Sequence, residues 1–186
     1  SLSGAGTAGA VQMVSGATVS PGSAPSTFGT LSVGDLTLGA STTLNLDIGA
    51  TATPGAGVND LIQVTGGFTN GGTVTVNFSF LNGLPALGVP YTLVTSTALD
   101  PAFNPASFVA GPSHITPVFS VAGNNVQVTF SAGNNNVVWQ GDPANPSPQR
   151  TIPLNAFAPL AGLPGVRLIN VQKGAGEEQG RAPGGA

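Results

Sequence analysis

Four aspartates are the residues in the first 132 positions whose chemistry could support catalysis. Asp35, Asp47, Asp60 and Asp100 are the only formally charged residues before Asp142. Glycoside hydrolysis requires two carboxyl groups that flank a glycosidic bond, and stacking of distant segments could bring such a pair together. Because no second acid is near any of the four in sequence, we expect each to accept hydrogen bonds from the backbone of its own turn.

The single histidine, His114, and the absence of cysteine restrict metal chemistry. One imidazole cannot build a histidine-based zinc site, no thiolate is present, and the clustered carboxylates of calcium loops are missing. Motifs of serine hydrolases, zinc proteases and phosphate-binding loops do not occur, and the glycine doublets at 66–67 and 71–72 predict turns. We therefore predict no catalytic residue, no metal ligand and no cofactor.

Other polar and aromatic side chains have structural interpretations. Asn77 begins an Asn-Phe-Ser glycosylation pattern but lies inside a predicted strand. Thr73 and Thr75 are expected to face outward and to stack with threonines of neighbouring strands in ladders that stabilise the sheet. Three aromatic side chains are expected to cap the end of the β-core rather than to line a binding groove: Phe103, Phe108 and Phe119.

Charge is sparse and unevenly placed. No Lys or Arg precedes Arg150, and all four basic residues lie near the end of the chain. Without a basic patch the first three-quarters has no electrostatic means of holding nucleic acid or an anionic membrane surface. With so few charges, solubility depends on Thr, Ser and Asn side chains, and this composition favours a location outside the cell. No apolar run is long enough to cross a membrane. The chain begins with Ser, so we interpret it as an excerpt of a longer protein.

Short runs in which apolar and polar residues alternate organise residues 1–132. Strict alternation over 42–48 and 73–80 is typical of strands with one buried face. Further strands are predicted at 11–14, 30–38, 61–64, 90–95, 115–121 and 126–130, and residues 20–26 predict a connection too poor in apolar residues to pack. No window has the spacing of an amphipathic helix without an interrupting Gly or Pro. The predicted fold is therefore all-β.

The uneven connections favour a parallel β-solenoid, in which loops project from one face of stacked coils. Residues 123–125 (Gly-Asn-Asn) predict a hairpin and hence at least one antiparallel pair. A β-sandwich is therefore the alternative architecture.

Four motifs in order give this region a family resemblance. They are GATVSPGSAP at 16–25, GDLTLG at 34–39, NDLIQVTG at 59–66 and GGTVTV at 71–76. Over about residues 10–132 the chain resembles the autotransporter-associated β-strand repeats of bacterial surface and secreted proteins. The resemblance implies a right-handed β-helical segment that is exported and has no catalytic residues.

The last quarter follows another pattern. Residues 133–149 are interpreted as a linker and 150–186 as a short, partly disordered tail. A strand at 136–139, a helix at 155–163 and a strand at 166–171 make a βαβ-like order. Residues 137–179 resemble the start of the C-terminal glycosyltransferase subdomain of bacterial tetratricopeptide-repeat proteins, although Asp142 and Thr151 replace that family's Asn and Ser. A nucleotide-sugar site would need further strands and loops, so we assign no catalytic role here.

The expected function is that of a non-enzymatic, exported bacterial surface or passenger segment with a structural or adhesive role. We expect it outside the cell or at the outer-membrane surface, with host or cell-surface glycans or proteins as partners. Neither nucleic acid nor insertion into a membrane is expected. Two alternatives stay open: a truncated glycosyltransferase-like fragment that depends on a nucleotide sugar, and a polysaccharide-acting β-helix enzyme.

Overall fold

The computed structural model describes residues 1–23, 26–55, 57–111 and 115–132, together with the strands at 135–139 and 166–170. The chain divides into two compact units, Ser1–Ser131 and Ala132–Ala186. Within these described ranges there is no α-helix, and one 3-10 helix spans Pro105–Ser107. The prediction of an all-β fold is confirmed.

Fifteen strands occur among the described residues from 1 to 132. In chain order they are β1 (Leu2–Gly4), β2 (Thr7–Ala8), β3 (Val11–Gln12), β4 (Thr18–Pro21), β5 (Thr30–Val33), β6 (Leu36–Leu38), β7 (Thr42–Ile48), β8 (Leu61–Val64), β9 (Gly67–Asn70), β10 (Val74–Phe80), β11 (Pro90–Thr95), β12 (Ala98–Leu99), β13 (Phe108–Ala110), β14 (Ile115–Ala122) and β15 (Asn125–Ala132).

These strands belong to three sheets that the chain visits in rotation. Sheet A has the order β1-β4-β7-β10-β13, sheet B contains β2-β5-β8-β11, and sheet C has the order β3-β6-β9-β12. Neighbours within these series are parallel, and each is one circuit later in the chain. The circuits differ in length: Asn45 follows its sheet-A neighbour Ser20 by 25 residues, and Asn77 follows Asn45 by 32.

Alternation along each strand supplies a continuous core. In β7 the buried positions are Thr42, Leu44, Leu46 and Ile48, and the residues between them face outward. Because pairing is in register, buried residues stack on buried residues from one circuit to the next, as Leu44 does on Val76. Full burial of such aliphatic side chains stabilises the fold by roughly 1.5–3 kcal/mol each.

The long connections gather where the chain passes from sheet A to sheet B. We call this edge the loop corner, and it comprises residues 22–29, 49–60 and 81–89. The connections from sheet B to sheet C are short, for example the pair Gly34 and Asp35. A further long connection, residues 100–107 with the 3-10 helix, leads from sheet C to sheet A, so the prediction that loops project from one face is only partly correct.

Antiparallel pairing interrupts this regularity at one end of sheet B. β15 runs antiparallel to β11, with Tyr91 opposite Val128, and β14 lies beyond it at the edge of sheet B. β14 and β15 are joined through Gly123, whose φ of 59° suits the tight turn. The hairpin predicted from Gly-Asn-Asn is confirmed.

Two predicted turns have different bounds in the structure. The connection predicted at residues 20–26 begins later, because Ser20 and Pro21 end β4 and Pro21 is buried. Proline is tolerated there because the pairing of β4 with β7 covers only Thr18 and Val19, so Pro21 lies beyond that ladder and pairs with Gly4 of β1 alone. Gly67 opens β9 instead of closing a turn, because its amide is bound by a side chain of the preceding circuit.

The second unit shows two strands, β16 (Asn135–Trp139) and β17 (Val166–Asn170), which pair in parallel. Both were predicted, and the parallel pairing agrees with the βαβ-like order. The helix predicted at 155–163 and most of the proposed linker at 133–149 lie outside the described residues.

Candidate functional site

At the loop corner the backbone leaves the regular sheets three times, and two depressions lie beside it. Loops carried on a rigid scaffold are where binding residues concentrate, because they can vary without disturbing the core. We name the depressions the polar cleft and the loop groove. Ser26, whose φ is 61°, lines both of them.

The polar cleft lies on the outward face of sheet A and has a volume of about 440 Å³. This is within the range of small-molecule sites, roughly 300–1,000 Å³. Its lining consists of small polar residues with one carboxylate: Ser3, Ser20, Pro21, Gly22, Ser23, Ser26, Asn45, Asp47 and Ser79.

A hydrogen-bonded polar row crosses this face from circuit to circuit. Asn45 Nδ2 donates to Ser20 Oγ at 3.2 Å, and Asn77 Nδ2 donates to Asn45 Oδ1 at 3.0 Å. Asn77 therefore has a structural partner within the sheet while remaining exposed. The row supplies uncharged amide and hydroxyl groups to this face of sheet A.

Among the described residues that line the polar cleft, Asp47 is the only ionisable one. Burial raises the pKa of its carboxyl group, and hydrogen bonds from the Ser79 hydroxyl and the Thr27 backbone act in the opposite direction. The Thr27 bond ties the 22–29 loop to sheet A. Asp47 was expected to bond its own turn, and this prediction is wrong because its carboxylate reaches other circuits.

Asp60 lies beneath the corner and is 1% exposed. Its Oδ1 accepts from Gly29 N at 2.7 Å and its Oδ2 accepts from Asp47 N at 2.8 Å. Burial, with a smaller contribution from the negative charge of Asp47, raises the pKa of Asp60 to about 6, against the opposing hydrogen bonds. The carboxylate therefore links three segments that are distant in sequence, not its own turn as predicted.

Asn59 completes the link. This side chain is 2% exposed; its Oδ1 accepts from Gly49 N at 2.8 Å, and its Nδ2 donates to the carbonyls of Thr51 and Thr53. Since Asn59 and Asp60 are adjacent, one dipeptide secures the 49–60 loop and the start of β5. We call this pair the Asn-Asp clasp.

The surroundings of Asp47 and Asp60 limit which reactions these two carboxyl groups can take part in. The 49–60 loop folds back on the end of β7 and brings Asp47 and Asp60 together, which their separation in sequence concealed. Both Asp60 oxygens are engaged by backbone amides, however, and the side chain is inaccessible to a substrate. Asp47 and its serine and asparagine neighbours can accept and donate hydrogen bonds to a neutral polar group.

The loop groove has a volume of about 430 Å³ and is more apolar. Phe28, Phe80 and Leu81 line it together with Ser26, Thr27, Gly57 and Asn82. Beyond it the 81–89 loop is anchored by Tyr91, whose hydroxyl accepts from Ala86 N and donates to the carbonyl of Ala50. Leu84 at the tip of this loop is 63% exposed.

The other two aspartates have simple roles. Asp35 Oδ1 accepts from Gly67 N at 2.7 Å, so it links one circuit to the next and not the backbone of its own turn. Asp100 Oδ1 accepts from Ala102 N at 2.8 Å, as the local interpretation predicted. His114 lies outside the described residues.

The aromatic cap is confirmed. Phe108 contacts Phe103 and Phe119 at ring-centroid distances of 5.5 and 5.8 Å, and Phe103 contacts Phe68 at 5.7 Å. Phe68 and Phe108 belong to the buried core, and the other two pack against it. None of the three predicted rings lines the polar cleft or the loop groove.

Threonine ladders are partly confirmed. Thr75 pairs with Thr43 and Thr43 with Thr18, whereas Thr73 precedes β10 and contributes its carbonyl to Ser41 N. In sheet C a second threonine pair forms, in which the Thr69 hydroxyl donates a 2.9 Å hydrogen bond to the Thr37 hydroxyl.

In the part of the chain that the structure describes, no group of three His, Asp or Glu side chains could hold a metal ion. Over the same residues, no helix has the length and hydropathy needed to cross a membrane.

Comparison of the chain with protein-family models, with curated proteins and with solved structures finds no match in any of the three. The residues that define the corner must therefore be judged on their geometry. Sequence reasoning missed Asn59, Ser20, Asn45 and Ser79, because their partners are 6 to 32 residues away. Of these four residues, only Asn59 could have been found from the sequence, because it is a polar residue close before a predicted buried strand.

Proposed function

We propose that residues 1–132 form a right-handed parallel β-solenoid that acts as a non-enzymatic, exported stalk of a bacterial surface or secreted protein, with a structural or adhesive role. The observation that carries this proposal is the in-register, parallel pairing of successive circuits in three sheets. A β-sandwich would pair its strands antiparallel.

The composition of the surface supports a mechanical role. The circuits are joined by uncharged hydroxyl and amide contacts, such as those between Ser20, Asn45 and Asn77. Such contacts depend little on ionic strength, because no charge is involved that salt could screen. A segment of this kind keeps its form in a variable exterior medium while its loop corner presents polar groups to partners.

The stacked-coil architecture can be tested with engineered disulfides, because the chain has no cysteine. Thr43 and Thr75 are directly paired, so Thr43→Cys with Thr75→Cys should oxidise readily to a cross-link. The control places the second cysteine at Asn77, two residues or about 6.7 Å further along β10. That shift puts the Cα separation beyond the roughly 7 Å limit for a disulfide. Equal cross-linking of both pairs would contradict the proposed register.

Export needs a separate experiment. The natural reading frame would be expressed in a bacterium, and intact cells would be treated with a protease. We expect the segment to be cleaved or released from the surface. Recovery of the protein in the cytosol alone would refute the exported stalk while leaving the architecture intact.

A second candidate concerns residues 137–179. The parallel pairing of β16 and β17 is the arrangement that a βαβ-like unit requires, and the resemblance alone suggests the glycosyltransferase type. On that proposal the chain binds a nucleotide sugar, and calorimetry that detects no heat of binding would dispose of it. A polysaccharide-cleaving enzyme has no comparable support, because Asp60 is enclosed by its backbone partners.

A further inference from the structure

The chain contains two Asn-Gly pairs, Asn70-Gly71 and Asn82-Gly83, and the fold holds them in opposite ways. Asn-Gly is the dipeptide in which a backbone nitrogen can most easily reach the preceding side-chain amide, because glycine has no Cβ to obstruct the approach. The two pairs therefore offer the same chemistry in two different environments.

Asn70 is fully engaged. Its Nδ2 donates to Ser107 Oγ at 2.7 Å, and its Oδ1 accepts from Gly72 N at 3.3 Å. The backbone nitrogen that would react, that of Gly71, donates to the carbonyl of Leu38 at 2.8 Å. Asn70 is also the last residue of β9, so its backbone is held by the sheet.

Asn82 is free by comparison. It is exposed at the start of the 81–89 loop with a φ of 59°, and Gly83 follows with a φ of 117°. Among the described residues, neither the Asn82 amide nor the Gly83 nitrogen has a hydrogen-bond partner. The space beside Gly83 is open, since a Cβ there would meet only the Ala50 methyl at 3.8 Å.

We propose that Asn82 is a site of spontaneous deamidation and that the fold protects Asn70 from the same reaction. The Gly83 nitrogen attacks Cγ of Asn82 and forms a five-membered imide. The Cγ–Nδ2 bond breaks, and ammonia leaves with the proton lost by the Gly83 nitrogen. One water molecule then opens the imide at either carbonyl, which leaves aspartate or isoaspartate at position 82.

The modification changes the loop groove. Asn82 lines this groove beside Phe80 and Leu81, so the product places a carboxylate on a wall that is uncharged. The isoaspartate form also adds one methylene to the main chain at the entry of the 81–89 loop. A neutral, partly aromatic groove thus becomes acidic as the protein ages.

The test is peptide mapping by mass spectrometry of the full chain, incubated in mildly alkaline buffer. Because no Lys or Arg precedes Arg150, trypsin leaves both sites in one peptide, so a protease that cleaves after aromatic residues is needed. We expect deamidation at Asn82 to be at least about tenfold faster than at Asn70, since Asn70 must first break several hydrogen bonds. In denaturant the two rates should converge.

Two variants sharpen the result. Ser107→Ala removes the partner of the Asn70 amide and should accelerate deamidation there while the rate at Asn82 stays the same. Asn82→Ser should abolish the faster reaction. Equal native rates at the two sites would overturn the proposal. It would equally be overturned if the difference persisted in denaturant, because local sequence and not the fold would then set the rates.

Discussion

Acidification should stabilise this protein, because Asp60 binds a proton more tightly in the folded chain than in the unfolded one. Its pKa rises from 3.8 to about 6 on folding, mainly through burial. Between these two values the native state carries a proton that the unfolded state lacks, so the free energy of unfolding increases as the pH falls. A shift of about two units corresponds to at most about 3 kcal/mol, gained between about pH 7 and pH 4.

The assay is denaturant unfolding of the wild type and of Asp60→Asn at several pH values, followed by β-sheet circular dichroism. The amide that replaces the carboxyl group is not ionisable, so the variant should lose most of the pH dependence in this window. Asp47→Asn is the matched control: it removes the neighbouring charge but should leave most of the dependence, because burial of Asp60 is the larger cause. A wild type that loses stability as the pH is lowered through the pKa of Asp60 would refute the reasoning.

Three further substitutions test the packing of the first unit. Asn59→Ala removes three hydrogen bonds and should lower the free energy of unfolding by about 3 kcal/mol, with faster amide exchange at Gly49. Phe130→Ala should cost about 3–5 kcal/mol in denaturant unfolding, because the fully buried ring contacts three other aromatic rings. Gly29→Ala should lower the melting temperature, because its Cβ would collide with the Gly22 backbone, whereas Gly6→Ala meets nothing and should not.

Much of the strand content was predictable because its signal is local. Residues 42–48 alternate between apolar and polar side chains, and β7 has these bounds in the structure. The bounds of β8 and β11 were also predicted, although these strands do not alternate strictly. Other strands were missed: β4 ends in Pro21 and β9 begins with Gly67, and both form because neighbouring circuits offer them partners.

The candidate site was much less predictable. Nothing in the order Asn59-Asp60 says that Gly29 will donate to it from 31 residues away. Local turn chemistry was the reasonable expectation for all four aspartates, yet it describes only Asp100. The other three accept from distant amides, since stacking brings the turns of successive circuits together.

The sequence by itself determined the all-β character, the scarcity of charge and the uneven loop lengths, because alternation and composition act within a few residues. Only the tertiary structure decided which strands are neighbours, which loops share a corner and which aspartates link distant segments. The physical reason is that the register between strands is set by packing of residues that are 25 or 32 positions apart in the sequence. The four aspartates therefore look alike in sequence and become one exposed turn, one cleft residue and two links between circuits.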